Sequence, residues 1–400
     1  MQECPPTAVI FGAGSVGRGF LGQLFSESGY EVVFVDVDEP LVEALARRGS
    51  YTLRLSGIEK VENLTIGPVR AVNGLHTGQV AAEVAKASLM ATAVGARALA
   101  VIAKSIAAGL AQRWEAGQTT PLNVIVCENL HDAPDLLRGY VRETLPDALK
   151  PCLRGRVGFV PAVIARMSPV PTSEQRSANP TLIVAEPYKV LPVDREAFVG
   201  DIPQVVGMET VTPFTAYVER KLYIHNAAHA MLGYLGYCRG YAYGYEALDD
   251  PWVRPLLDQA LDEAGRALVA EHGFDPQALQ EHVQDILARF ANRALADPIG
   301  RLARDPLRKL APGDRLVGAA RLAERHAIRP EGLAWGIAAA LAYDNPDDTH
   351  AMELQTRLAQ EGLGGILGYV CDIREDEPLA DLVCRRYRML REEPQWQGRP

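Results

Sequence analysis

The sequence predicts an α/β N-terminal domain followed by a mostly α-helical C-terminal domain. Three observations carry that expectation. A short apolar run, Ala8 to Phe11, meets a glycine-rich turn and then a helical pattern. Strand-like and helix-like stretches then alternate as far as "LNVIVCENLHDAPDLLRGYVRETL". From about Thr212 onward, apolar residues recur at helical spacing between Pro/Gly/Asp-rich joints. At 400 residues the chain is also long for one core, so two domains are expected, with a boundary near 205: residues 1–205, with extra strands over about 155–205, and residues 206–400.

The first elements can be justified in order. Ala8 to Phe11 reads as a strand, and Gly12-Ala13-Gly14-Ser15-Val16-Gly17 as the turn after it. Phe20, Leu21, Leu24 and Phe25 fall at helical spacing, and Gly29 is a plausible stop. A second apolar run, "YEVVFVDVD", reaches Asp36, 19 residues past Gly17. In a Rossmann dinucleotide-binding unit each of these has a job. Gly12 permits the tight turn, Gly14 lets backbone approach a pyrophosphate, and Gly17 lets the helix pack on the strand. The free N–H groups of the helix start face the phosphates. Asp36 would accept from the adenosine ribose hydroxyls, which favours NAD over NADP. Glycines that serve only the turn, and an aspartate that only caps the next helix, are the structural alternatives.

"ASLMATAVGARALAVIAKSIAAGLAQ" reads as strand then helix, and "LNVIVCENL" begins the next such pair. Val94 and Gly95 fall at the carboxyl end of one strand and Asn129 at that of the other. Open parallel sheets bind ligands at this edge, so Val94 and Gly95 are candidate cofactor neighbours. Asn129 is a candidate for the reacting end of a substrate, or a turn or cap asparagine.

Composition bounds the rest. With a net charge of −9, bulk attraction to nucleic acid or to acidic membrane is not expected. No apolar run reaches the roughly 18 residues of a membrane helix. No basic segment precedes the first strand, so no signal peptide is expected. Six cysteines without CxxC or Cys/His spacing suit a reducing, cytoplasmic setting and give no zinc signature. No metal is expected.

In the C-terminal half, "KLYIHNAAH" places Lys221, His225, Asn226 and His229 in one helical run. At 100° per residue, taking Lys221 as zero, His225 lies at about 40°, His229 at about 80° and Asn226 at about 140°. The small residues Ala227, Ala228, Ala230, Gly233 and Gly236 fit a face that something approaches closely; a partly exposed polar face is the alternative. The chemistry suits NAD-linked alcohol oxidation, which needs a base for the hydroxyl proton. A lysine with a depressed pKa can supply it, and asparagine N–H groups can stabilise the alkoxide. A second cluster, "PIGRLARDPLRKLAPGDR", holds Arg301, Arg304, Arg308, Lys309 and Arg315 in an acidic protein. It suits a phosphate or carboxylate, or else is a set of helix-end cations and surface ion pairs.

Together these motifs resemble the polyol-specific long-chain dehydrogenase family over about residues 7–370. "FGAGSVGRGF", "TAVG", "CENL", "ERKLYIHNAAHA" and "RLARDPLRKLAPGDRL" recur in the family's order. Lys221, Asn226 and His229 meet its K-x4-N-x2-H signature, Asn129 its oxyanion-type asparagine, and Arg301 and Lys309 its R-x7-K pattern. The resemblance implies a Rossmann domain and a helical domain with the active site between them. It also implies NAD as cofactor and metal-independent hydride transfer. The implied reaction is interconversion of D-mannitol 1-phosphate and D-fructose 6-phosphate, with a free polyol or a hexuronate as the alternative substrate. Lys221 would be the general acid/base, Asn129 and Asn226 would hold the alkoxide, and His229 would orient Lys221 or a hydroxyl. Arg301 and Lys309 would hold the distal end, with Arg304 and Arg308 on the phosphate. The expected partner is a small sugar or polyol phosphate, and the expected state a monomer or small homo-oligomer. Three departures stand out: Ala165 before Arg166 where an Asp-Arg pair is usual, no Trp in "VAEPYKVLPVD", and His225 where a small or apolar residue is usual. A binding protein of this fold without turnover is the rival from another class.

Overall fold

The computed structural model describes residues 5–130, 132–169 and 171–392. The first four residues, part of the N-terminal stretch read as free of a signal peptide, lie outside them. The chain divides into two compact units between Tyr217 and Val218, later than a boundary near 205.

Among the described residues the first unit holds eleven strands: β1 (Thr7–Phe11), β2 (Glu31–Asp36), β3 (Tyr51–Ser56), β4 (Val61–Ile66), β5 (Val69–Asn73), β6 (Leu89–Thr92), β7 (Leu122–Val126), β8 (Val157–Pro161), β9 (Ile183–Ala185), β10 (Leu191–Asp194) and β11 (Met208–Val211). Six form one sheet in the order β5-β2-β1-β6-β7-β8, and every pairing in it is parallel. Counted along the chain, that order is the doubly wound 3-2-1-4-5-6, with its switch point between β1 and β6.

Burial explains why these residues form such a sheet. Side chains alternate across a strand. Ala8 and Ile10 of β1 enter one apolar layer with Phe20, Leu24 and Phe34. Val9 and Phe11 enter the opposite layer with Val33, Val84 and Leu110. A strand covered on both faces is largely apolar on both, which is why Ala8–Phe11 of β1 and Val32–Val35 of β2 read as unbroken runs. The helix Leu99–Glu115 and the helix Ala133–Thr144 cover the second layer. The hairpin of β3 and β4 pairs with β9 in a separate three-stranded sheet.

The second unit is helical. Its Ala227–Cys238 helix is buried on nearly every side, as is the helix Glu331–Leu341. The small residues explain the close packing. A Cβ on Gly233 would lie 2.7 Å from backbone of Leu302 and Ala303, and one on Gly336 2.8 Å from Met231. Gly233 and Gly236 therefore serve helix packing, not a ligand-lined face as the sequence suggested. The helix Val253–His272 supplies Glu263, 2% exposed, whose carboxylate accepts from the N–H groups of Gly332 and Leu333. That acid satisfies the open donors at the start of Glu331–Leu341.

Candidate active site

In the first unit the glycine turn joins β1 to a π-helical turn, Gly17–Leu21, that continues as the helix Gly22–Glu27. Gly12 has φ +95°, and a Cβ there would sit 2.4 Å from the Ala93 carbonyl oxygen. A Cβ on Gly17 would sit 1.9 Å from the Gly12 oxygen, so the helix start lies directly on the turn. Gly14 is the opposite case: nothing lies within 4 Å of its Cβ position. Two glycines are thus required by close packing and one faces open space, as a dinucleotide cradle needs.

Asp36 ends β2 and closes on this turn. Its Oδ2 accepts from Ala13 N–H at 2.6 Å and its Oδ1 from Asp38 N–H at 3.0 Å. Exposed Val37 and Leu75 flank the same edge, 65% and 72% accessible, and offer apolar surface beside the carboxylate. Ser15 and Val16 complete the turn. Arg18 was not singled out by spacing. It is 7% exposed, and its guanidinium donates to the Ala13 and Thr181 carbonyls, bracing the turn from beneath.

At the carboxyl ends of β6 and β7, Val94 and Gly95 form a bend, with Gly95 at φ +82°. Asn129 is exposed three residues beyond β7. Its neighbour Glu128, also unforeseen, is 8% exposed. It accepts from Thr92 Oγ1 at 2.6 Å and from Val94 N–H at 3.1 Å. Burial pushes this carboxyl up, while those two donors pull it back. The departure at Ala165-Arg166 belongs to this unit too. Arg166 donates to Gln23 Oε1 and to the Glu186 carbonyl and lies over Phe20.

In the second unit Lys221–Asn226 is a π-helical segment between the helices Phe214–Arg220 and Ala227–Cys238. The backbone bond Ala227 N–H to Leu222 carbonyl shows the wider i→i+5 winding. Each residue then turns through less than 100°, so Asn226 lies closer to the Lys221 side of the segment than the 140° of an α-helix. Burial, then the Arg315 charge, pushes the Lys221 amine down to about 8, against the pull of Asp314.

His229 stacks on Phe290 with ring centroids 4.0 Å apart. His225 meets both edge-on, at 4.6 and 5.2 Å. Burial pushes both imidazoles well down, helped at His229 by Arg301, Lys309, Arg289 and Arg315 and at His225 by His229 itself. Both rings are therefore neutral near pH 7.

The basic cluster separates into parts. Lys309 is 5% exposed, donates to the Leu302 carbonyl and sits 5.6 Å from the Tyr234 ring centroid. Burial, then Arg315 and Arg308, pushes its amine down to about 7. Arg315 is 8% exposed and held by Asp314 at 2.6 Å. Arg301 is exposed and paired with Asp297; Arg308 is exposed and paired with Asp305 and Asp314. Arg304 is exposed and makes no ion pair among the described residues. Arg315 thus lies within electrostatic reach of Lys221, His229 and Lys309, and His229 within reach of Arg301 and Lys309 as well. Among the described residues no three His, Cys, Asp or Glu side chains gather as metal ligands. No helix among them is long and apolar enough to cross a membrane.

Comparison with known proteins bears on this geometry. The mannitol dehydrogenase Rossmann domain matches residues 6–207 and the mannitol dehydrogenase C-terminal domain residues 214–363. A mannitol-1-phosphate 5-dehydrogenase of Brevibacillus brevis is 39% identical over 391 residues, covering 98% of this chain and 99% of that one. The enzyme of the same name from Bacillus subtilis is 38% identical, covering 95% and 99%. Among solved structures, a substrate-free D-sorbitol dehydrogenase matches with TM-score 0.81 at 17% identity, covering 99% of this chain and 95% of that one. A Pseudomonas fluorescens mannitol 2-dehydrogenase, in ternary complex with NAD and D-mannitol, matches with TM-score 0.76 at 18%, covering 99% and 94%. At such identities the likeness concerns the fold.

Proposed function

The chain belongs to the mannitol dehydrogenase family, and from that premise we propose that it interconverts D-mannitol 1-phosphate and D-fructose 6-phosphate with NAD. One observation carries the proposal: a lysine amine at about 8 and a buried lysine amine at about 7 share one cationic cluster with Arg315. A base for a hydroxyl proton and a seat for an anion are thus assembled together. The names and near-complete coverage of the curated relatives support the phosphorylated substrate.

The residues of the first unit fit the cofactor. Gly14 leaves room for a diphosphate, and the Asp36 carboxylate suits ribose hydroxyls and repels a 2′-phosphate. When bound, the nicotinamide group supplies the acceptor or donor of hydride. Lys221 takes the hydroxyl proton in oxidation and returns it in reduction. Asn226, in the same π-helical segment as Lys221, donates to the alkoxide oxygen, and Asn129 supplies a second donor. Neutral His229, fixed in plane by Phe290, orients Lys221 or a substrate hydroxyl. Lys309 and Arg301 hold the distal end. Lys309 with Arg315 is the stronger phosphate seat, because exposed Arg308 and Arg304 face solvent competition.

The test is NADH consumption with fructose 6-phosphate, fructose and tagaturonate side by side. Fructose 6-phosphate should be strongly preferred. Equal use of free fructose would sink the phosphate assignment, and preference for tagaturonate would make the anion site a carboxylate site.

A further inference from the structure

Glu128 takes no part in the chemistry above, yet its placement is specific. It follows β7 and joins the ends of two strands, accepting from Thr92 on β6 and from Val94 just beyond it. The Val94 N–H donates to Oε1 and the Thr92 hydroxyl can donate to Oε2, a pair of bonds that an ionised carboxylate accepts.

Strand order says which part of a dinucleotide this group would serve. The glycine turn follows β1 and Asp36 ends β2, on one side of the switch point. A dinucleotide with its adenosine at Asp36 and its diphosphate at the turn lays its remaining half over the ends of β6 and β7. Glu128 is the buried acid of that half. The nicotinamide ring carries a positive charge when oxidised and none when reduced. A fixed anion in a poorly solvated site distinguishes the two forms and is weakly screened by salt.

We propose that Glu128 sets the balance of affinity between oxidised and reduced NAD, favouring the oxidised form by its charge. The proposal rests on the cofactor reading above. Its hydrogen bonds alone would make Glu128 a link between strand ends, and such a link would not separate two cofactors of nearly identical shape. Thr92→Val tests this contrast, since it removes one donor and leaves the charge.

The experiment is direct titration of the full chain with NAD⁺ and with NADH, by calorimetry or nucleotide fluorescence. Glu128→Gln should raise the ratio Kd(NAD⁺)/Kd(NADH) by about tenfold, the size expected for unit charges about 12 Å apart at an effective dielectric of about 20. Thr92→Val should leave the ratio near that of the wild type. If the amide variant does not fold, Glu128→Met removes the same charge and should move the ratio the same way. An unchanged ratio in a folded charge-removing variant overturns the proposal while the cofactor reading stands. A wild type that binds neither nucleotide overturns both.

Discussion

Lys221 illustrates how a residue and its surroundings divide the work. An amine near 10.5 would stay protonated at neutral pH and make a poor base. Burial and Arg315 bring it to about 8, where both forms are available. Oxidation needs the neutral amine, so kcat/KM for the polyol phosphate should rise as pH passes through about 8. Reduction needs the ammonium, so kcat/KM for the ketose phosphate should fall over the same window. Lys221→Ala should lower turnover by roughly 10²–10⁴-fold and abolish both pH limbs. NAD affinity should stay near normal, since the cradle is made by the first unit. Near-normal turnover in that variant, or limbs that persist in it, would remove Lys221 from the acid/base role. Glu128 shows the limit of reading residues one at a time. Its partners lie 36 and 34 positions away, and no spacing rule links them. Arg18 escaped notice for the same reason, since one of its acceptors is 163 residues distant.

At the scale of elements, glycine has two different meanings, and stability should tell them apart. Gly233 lies on the buried helix Ala227–Cys238, where an added Cβ would meet backbone of Leu302 and Ala303 at 2.7 Å. Backbone cannot step aside as a flexible side chain can. Gly233→Ala gains about 1 kcal/mol of helix propensity but meets overpacking of about 1–3 kcal/mol. Net destabilisation should follow. Gly265, on the helix Val253–His272, meets only Leu279 Cδ2 at 3.9 Å, an ordinary contact. Gly265→Ala should therefore stabilise by up to about 1 kcal/mol. Urea unfolding of the two variants checks the opposite signs, and the same sign in both would refute the packing account. Elements also differ in how visible they are in the sequence. The unit from β1 through the turn to β2 is legible because both faces of its strands are covered and Gly12 and Gly17 have steric causes. The π turn at Lys221 is not, because the pattern around it continues as helix and one extra residue per turn leaves no mark on composition. The hairpin β3–β4 was missed because β4 is an exposed edge, solvated over most of its length. It therefore lacks the apolar alternation that betrays a strand.

For the whole molecule, the division into two units implies a division of selectivity. In the function proposed above, Asp36 in the first unit is assigned to the cofactor and Lys309 in the second to the anion of the substrate. The alternation of strands and helices, then helices alone, made this bipartite plan legible from the sequence. The roles within the basic cluster were not legible, because burial separates Lys309 and Arg315 from Arg301, Arg304 and Arg308 while sequence proximity does not. Burial should also decide which replacement matters. Lys309→Met keeps much of the aliphatic volume and removes the charge, so it should raise KM for fructose 6-phosphate by more than tenfold. That size follows from a charge-assisted hydrogen bond of about 1.5–3 kcal/mol to a phosphate. Arg304→Ala, at an exposed position, should raise it far less. Asp36→Ala should instead narrow the preference for NADH over NADPH and leave the ratio of fructose 6-phosphate to fructose unchanged. Among the described residues the two side chains share no hydrogen-bond partner, so their effects should add in the double variant within about 0.5 kcal/mol. Steady-state kinetics of the two single variants and the double variant, with both cofactors and both sugars, measures the coupling directly. A coupling well above that limit would mean that cofactor and anion selectivity are set jointly, and that the assignment of one property to each unit is wrong.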